Sequence, residues 1–364
     1  MAPILQLFGI GKRYGDLVAV DNVTLSIAEN QYVSLLGPSG SGKTTLLRLI
    51  AGFERPDSGH LAIGGQPIDG VPAHRRGIGF VFQNFALFQH LTVEQNVAFG
   101  LANREAGPAL DGGAIARRVR DMLALVGLTG LEGRSVHQIS GGQRQRVALA
   151  RTLVTEPRLV LLDEPLGALD ANLRTRMRSE LRAIRERLGV TFLHVTGSES
   201  EALAMGDTVI VLDSGRIGQI ADAGTIYDRP ASPRVARFLN CYNLFEGALR
   251  DNAFATAVGR FPLAGPLRLP SDSGNQAPSQ AYAIRYDRID VRPADATPAA
   301  NEVRVEGAYV AGEYTGASVL SFFALDDGRV VEIEAHLSHR APPSYTEGQR
   351  YGLIWKSDDA LLFA

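Results

Sequence analysis

The chain has 364 residues, with 37 lysines and arginines against 39 aspartates and glutamates, a formal net charge of −2. That length fits two domains at roughly 100–200 residues each, and a composition of 45% hydrophobic and 21% charged residues excludes wholesale disorder. The balanced charge speaks against a general nucleic-acid binder, and the single cysteine, Cys241, excludes an internal disulfide framework and fits a reducing compartment.

Mean hydropathy is −0.01, and no unbroken apolar run of about 18 residues marks a membrane span. The start, MAPILQLFGIGKRYG, has no basic stretch followed by a long apolar one, so no secretory signal is expected and the expected setting is cytoplasmic. Lysine occurs only at 12, 43 and 356, so a lysine inside a motif stands out.

Residues 4–10 (ILQLFGI) and 22–27 (NVTLSI) read as short strands split by a turn at Gly15-Asp16. YVSLL, residues 32–36, is a continuous apolar run of strand length that ends in glycine. Helical spacing follows at Thr45, Leu46, Leu49 and Ile50, with Gly52 as the stop. Residues 114–126 and 141–154 also read as helices, which places a largely helical block at about 85–155. RLVLLDEP (158–165) is a buried strand, 172–188 a polar, arginine-rich helix, and VTFLHV (190–195) and DTVIVLD (207–213) are further core strands. Strands alternating with helices imply an α/β domain whose parallel sheet is covered on both faces.

The texture changes near residue 240, the expected boundary between a first domain at 1–240 and a second at 241–364. LPSDSGNQAPSQ (269–280) is turn-rich. Short alternating segments follow, such as AYAIRYDRIDV, EVRVEGAYV, SVLSFFAL, RVVEIEA and YGLIWK, whose spacing predicts a small all-β barrel or sandwich.

Residues 37–44, GPSGSGKT, fit G-x-x-x-x-G-K-S/T at every fixed position, after a strand and before a helix. Gly37, Gly40 and Gly42 let the backbone curl so that N–H groups of Pro38-flanked Ser39 and Ser41 and of the following residues face phosphate oxygens. The helix start around Lys43, Thr44 and Thr45 adds its positive dipole end. Lys43 then suits the β- and γ-phosphates, and the Thr44 hydroxyl suits a Mg²⁺ position. Asp163-Glu164, just past LVLL, is the matching acidic pair: Asp163 can hold Mg²⁺ through water and Glu164 can polarise the water that attacks the γ-phosphate. Alone, that pair would be an ordinary acidic turn.

Between these halves lies ISGGQRQRVALAR, residues 139–151. Ser140 is a natural N-cap, and Gly141-Gly142 leave a helix N-terminus bare for close anion approach. As an isolated string it would be a plain helix cap. Placed between the phosphate loop and LLDEP, it resembles the nucleotide-binding subunits of ATP-binding cassette (ABC) transporters. The resemblance implies a phosphate-loop ATPase domain with a helical subdomain, followed by a small OB-like (TOBE) regulatory and dimerisation domain. It implies ATP and Mg²⁺ as ligands, with Ser140, Gly141, Gly142 and Gln143 contacting ATP held by the opposite subunit, so that two copies sandwich two nucleotides. It further implies that Gln83, in GFVFQNFALF, senses Mg²⁺ and the γ-phosphate, and that the loop after it receives a membrane subunit. Tyr14, in KRYGDLVAV, matches an aromatic that stacks on adenine, against the plain alternative of a packing ring. Asp170, in GALD (167–170), matches the loop that crosses the dimer interface.

One position departs from the family pattern. Members resemble THDQEEAL after the strand that follows LLDEP, whereas this chain reads TGSESEAL over 196–203, which puts Gly197 where the family carries a histidine. His194 lies three residues earlier within a strand and is expected to be committed to it. Losing an imidazole donor to the γ-phosphate typically costs on the order of 3 kcal/mol of barrier, or roughly a hundredfold in rate. The expectation is therefore retained ATP binding and dimer closure with slowed hydrolysis.

By resemblance, the expected role is the ATPase of an importer, peripheral on the cytoplasmic face of the inner membrane. Its expected partners are a second copy, two transmembrane permease subunits and, indirectly, a substrate-binding protein, with no nucleic acid. GLIWKSDDALL, with Trp355, points to polyamines (spermidine/putrescine) among relatives that also import iron(III), phosphonate, sulfate or sugars. Two other readings are a binding-only or regulatory subunit, motivated by Gly197, and a non-transport cassette protein. The latter is disfavoured by a single phosphate loop and no sustained heptad run.

Overall fold

A computed structural model describes residues 3–103, 110–167, 169–251, 253–263, 280–338 and 344–363. The turn-rich stretch expected at 269–280 lies outside them except for Gln280, as does Ala168 of GALD. The chain divides into two units, Met1–Asp228 and Arg229–Ala364. This division falls ahead of residue 240 because the short helix over 233–238 packs on strands of the second unit.

In chain order the first unit comprises β1 (Pro3–Tyr14), β2 (Leu17–Ala28), β3 (Tyr32–Leu36), α1 (Lys43–Ala51), β4 (Ser58–Ile63), β5 (Gln66–Pro67), β6 (Ile78–Val81), α2 (Val93–Ala102) and α3 (Gly112–Leu125). It continues with α4 (Gly141–Leu153), β7 (Leu159–Asp163), α5 (Ala171–Leu188), β8 (Thr191–Thr196), α6 (Glu199–Met205), β9 (Thr208–Asp213), β10 (Arg216–Ala221) and α7 (Ala223–Asp228). A six-stranded sheet runs β10-β9-β3-β8-β7-β6, parallel throughout except for β10 at its edge. The first two strands form no part of it. They belong to an antiparallel sheet, β2-β1-β4-β5. Both run longer than the apolar alternation suggests, because a bulge between Leu7 and Ile10 absorbs the break at Gly9 and the ladder carries on to Tyr14 and Leu17.

The parallel sheet separates two cores. On one face Leu35, Leu161, Leu193, Val195 and Ile210 pack with Leu46 and Ile50 of α1 and with Ile4, Leu7, Val20 and Leu61 of the antiparallel sheet. On the other, Tyr32, Leu162 and Phe192 pack with Val97, Leu123, Val147, Met177 and Leu181 from α2, α3, α4 and α5. Both faces are covered, as expected, but one cover is partly a second sheet. β8 shows how period-2 alternation divides a strand between them: Leu193 and Val195 face α1, and Phe192 faces the helical side.

The second unit opens with α8 (Pro233–Phe238), followed by β11 (Tyr242–Arg250), β12 (Ala253–Thr256), β13 (Gly259–Pro262), β14 (Ala281–Arg285), β15 (Asp290–Pro293), β16 (Glu302–Tyr314), β17 (Ser318–Ala324), β18 (Val330–His336), β19 (Arg350–Lys356) and β20 (Leu361–Phe363). Two antiparallel five-stranded sheets, β13-β12-β11-β14-β20 and β15-β19-β16-β17-β18, share one core. Its centre is aromatic. Trp355, 2% exposed, lies 5.8 Å from Phe245 in a stacked pair and donates Nε1–H to Tyr282 Oη at 3.0 Å. Trp355 is therefore committed to packing.

Candidate functional site

Four neighbouring parallel strands, β3, β8, β7 and β6, each end at the same edge of the sheet. The stretches that follow them carry the phosphate loop, Gly197, Asp163-Glu164 and Gln83. Register sets their level: Leu36 pairs with Thr196, and Asp163 with Val195. The carboxyl edge of a parallel sheet is where such folds bind ligands, because loops and helix N-termini converge there.

After β3 the chain turns through Gly37–Gly42 into α1. Gly42 has a φ of 98°, and a Cβ placed there would lie 2.1 Å from the Ala19 carbonyl oxygen, so only glycine can N-cap this helix. Pro38, Ser39 and Gly40 are exposed, while Ser41 is buried and its Oγ has no hydrogen-bond partner. A buried hydroxyl without a partner suits an incoming acceptor oxygen. Lys43 is 6% exposed, and its Nζ donates to the carbonyls of Gly37 at 2.7 Å and Pro38 at 2.8 Å. Burial lowers its pKa, against the pull of Glu164 and Asp163.

Opposite the loop, Asp163 ends β7 with Oδ1 3.5 Å from the Thr44 hydroxyl. Burial, then the adjacent Glu164, raises its pKa, with Arg48, Thr44 and Lys43 opposing. Two crowded carboxylates beside a hydroxyl and an amide form an oxygen-rich set suited to a hard divalent cation that also takes phosphate and water ligands. The donor set thus fits Mg²⁺. Glu164 has a φ of 44°, an unusual backbone conformation for its residue type, and its Oε2 accepts a hydrogen bond from Gln83 Nε2 at 3.1 Å. The structure therefore brings Lys43, Thr44, Asp163, Glu164 and Gln83 together.

Tyr14, at the end of β1, is 43% exposed, with the Lys12 ammonium 5.5 Å from its ring centre, so it is an available ring rather than a packed one. Ser140 caps α4 in a reciprocal box: its Oγ accepts from Gln143 N–H at 3.3 Å, and Gln143 Oε1 accepts from Ser140 N–H at 2.8 Å. Gly141 is open, but Gly142 is not bare: a Cβ there would lie 2.9 Å from Leu173 of α5, so its small size serves packing. Asp170 caps α5 by accepting from Leu173 N–H at 2.9 Å.

Gly197 is exposed, and a Cβ built on it meets nothing within 4 Å. His194 cannot stand in from its position here. It is fully buried on β8, its Nδ1 lies 3.3 Å from Tyr32 Oη, and desolvation lowers its pKa to about 3, which keeps it neutral. Sequence reasoning missed Arg151. Its guanidinium donates to the carbonyls of Phe85 at 2.9 Å and Ala86 at 2.7 Å, both residues with positive φ in the loop beyond Gln83. An arginine late in a helix offers no sequence signal for that task.

A curled glycine loop holding a buried lysine, opposite an acidic pair at the carboxyl edge of a parallel sheet, defines a phosphate-loop nucleotide-binding protein. The ABC transporter family profile matches residues 20–167, and that of the TOBE domain matches 282–363. The chain is 42% identical to the spermidine/putrescine import ATP-binding protein PotA of Rubrobacter xylanophilus, with 98% of this chain and 93% of the relative covered. It is 43% identical to the sulfate/thiosulfate import ATP-binding protein CysA of Caulobacter vibrioides, covering 91% and 92%. It is 37% identical to the putrescine transport ATP-binding protein PotG of Escherichia coli, covering 100% and 95%. A solved ATP-binding cassette dimer with bound ADP and phosphate superimposes with a TM-score of 0.54 at 32% identity, over 60% of this chain and 98% of that one. The chain belongs to the ABC transporter family, among the ATP-hydrolysing import subunits that carry a C-terminal TOBE domain.

Proposed function

We propose that this chain is the ATPase of a polyamine importer, working as a homodimer on two membrane-embedded permease subunits at the cytoplasmic face of the inner membrane. A substrate-binding protein outside delivers the solute. The observation that carries the ATPase reading is the convergence of Lys43, Thr44, Asp163, Glu164 and Gln83 at one sheet edge, and the solute is taken from the likeness to the PotA and PotG relatives. Among the described residues no helix is long and apolar enough to cross a membrane, so transport needs partners that do.

In this mechanism the backbone N–H groups of Ser39–Thr45 and the Lys43 ammonium hold the phosphates of ATP, and Tyr14 stacks on the adenine. Thr44, Asp163 and Gln83 would hold Mg²⁺, which when bound would supply positive charge against the phosphates. Ser140, Gly141 and Gln143 of the second copy close over the γ-phosphate, Gly142 keeps that helix close to α5, and Asp170 lies at the seam. Glu164, released by Gln83, takes the proton of the attacking water. Gly197 leaves the γ-phosphate one donor short, so hydrolysis is slow while binding and closure persist.

Steady-state ATP hydrolysis by the chain beside Gly197→His, with dimerisation followed in the same samples, tests the site. Both should dimerise with ATP, and the histidine should raise turnover roughly a hundredfold. Equal, substantial rates would sink the missing-donor reading. If neither form hydrolyses ATP and both dimerise, the second reading, a binding-only regulatory subunit suggested by the open space at Gly197, takes its place. For the solute, uptake of labelled spermidine should fall in cells lacking the chain, with sulfate uptake intact; the reverse would assign it to sulfate, as in the CysA relative.

A further inference from the structure

Glu201 is an acidic side chain only 5% exposed, on α6 just past the open position 197. Its Oε2 accepts a hydrogen bond from Thr196 Oγ1 at 2.9 Å and lies 3.9 Å from His194 Nε2. Its Oε1 lies 3.4 Å from Arg174 Nε, an ion-pair contact without a hydrogen bond. The path continues at both ends. Arg174 Nη2 donates to the Leu169 carbonyl at 3.1 Å, next to Asp170, while Thr196 Oγ1 accepts from Ser198 N–H at 3.0 Å. Leu169, Arg174, Glu201, Thr196 and Ser198 thus form one chain of polar contacts that brackets Gly197. Capping of α6 does not need it, because Ser198 Oγ already receives the Glu201 N–H.

We propose that Arg174 and Glu201 are positioning residues that tie the Gly197–Ser198 turn to the Leu169–Asp170 stretch, so that whatever moves the interface loop moves the turn beside the γ-phosphate. The proposal rests on the dimer reading above. A buried carboxylate that loses its cation is costly, so a displacement at Leu169 that carries Arg174 would be followed by Glu201 and the turn. A donor side chain placed at position 197 would then work at full strength only after the second copy has closed.

The test has two readouts on the full chain. In Glu164→Gln, which should hold the closed dimer, MgATP should slow amide exchange both at residues 39–45 and at 196–199. Adding Glu201→Gln or the more exposed Arg174→Gln should abolish the slowing at 196–199 and preserve it at 39–45. Slowing that persists at 196–199 in both variants overturns the coupling, and failure of Glu164→Gln alone to dimerise with ATP overturns the dimer reading and the coupling with it. The second readout is kinetic. In Gly197→His, Glu201→Gln should lower kcat roughly tenfold with KM unchanged, because a donor on the turn is misplaced. In the native chain the same change should matter less than about twofold. Equal losses in both backgrounds would mark Glu201 as a fold-holding residue and refute the proposal. If Gly197→His gives no gain in turnover, the missing-donor reading falls while the exchange result still decides the coupling.

Discussion

The carboxyl edge of the parallel sheet and the aromatic core of the second unit treat polar atoms and backbone in opposite ways. At the sheet edge Lys43 and Asp163 are held where burial disfavours their charges, and Ser41 Oγ is buried without a partner. Phe85, Ala86 and Glu164 adopt positive φ there, although none is a residue type at ease in it. In the second unit Trp355 and Tyr282 satisfy each other, and among its described residues the non-glycine ones with positive φ are Asn240 and Asp251, which tolerate it. At the sheet edge these placements lie where a ligand can relieve them, while the Trp355–Tyr282 pair is closed on itself.

The strongest challenge to that contrast is at Glu164. Glu164→Gln keeps the size and the awkward backbone, and turnover should fall roughly thousandfold, in the range of a lost general base, while ATP drives the chain into a dimer that sizing chromatography would see. A variant that hydrolyses at the native rate would remove the function assigned to the strain. On the other side, Trp355→Ala should cost about 3–5 kcal/mol of stability, read as a lowered calorimetric transition for the second unit, with ATP affinity of the first unit unchanged. A parallel loss of ATP affinity would erase the separation.

A smaller effect sharpens the first unit's side. His194 is kept neutral at a pKa of about 3, against an ordinary value of 6.5. A folded pKa below the unfolded one means its stabilising effect is complete above about pH 6.5 and is lost as pH falls toward 3. Between pH 7 and pH 5 that loss is about 2 kcal/mol, and His194→Gln should be less acid-sensitive by that amount in urea titrations at the two pH values. Smallest is Thr92→Ala, which removes the reciprocal cap with Gln95 at the start of α2. It should cost about 1 kcal/mol with turnover unaffected, since no residue of the phosphate site touches that cap.

What was legible in the sequence follows from where the signal is local. YVSLL ends at Leu36 as expected, and α4 and α5 begin at their capping residues, because apolar runs and caps are written within a few positions. The phosphate-loop residues and the acidic pair were readable for the same reason. The membership of β1 and β2 in a separate sheet was not, since it depends on pairing with β4 far along the chain. Arg151 and the path through Arg174 and Glu201 escaped for a related reason: each side chain takes its meaning from a carbonyl or carboxylate supplied by another element. Gly142 looked like a clearing for an anion, yet its neighbour Leu173 comes from the following helix.

The seclusion of Lys43 has a practical consequence. Of the three lysines, Lys12 is paired with Asp57, Lys356 lies on the surface, and Lys43 is buried in the phosphate loop. An ammonium held by two carbonyls in a buried loop meets an acylating reagent only when the loop releases it, so whatever fills the loop governs the reaction. An amine-selective acylating reagent small enough to enter the loop would therefore mark nucleotide occupancy as a single peptide mass change, with Lys356 serving as the internal standard.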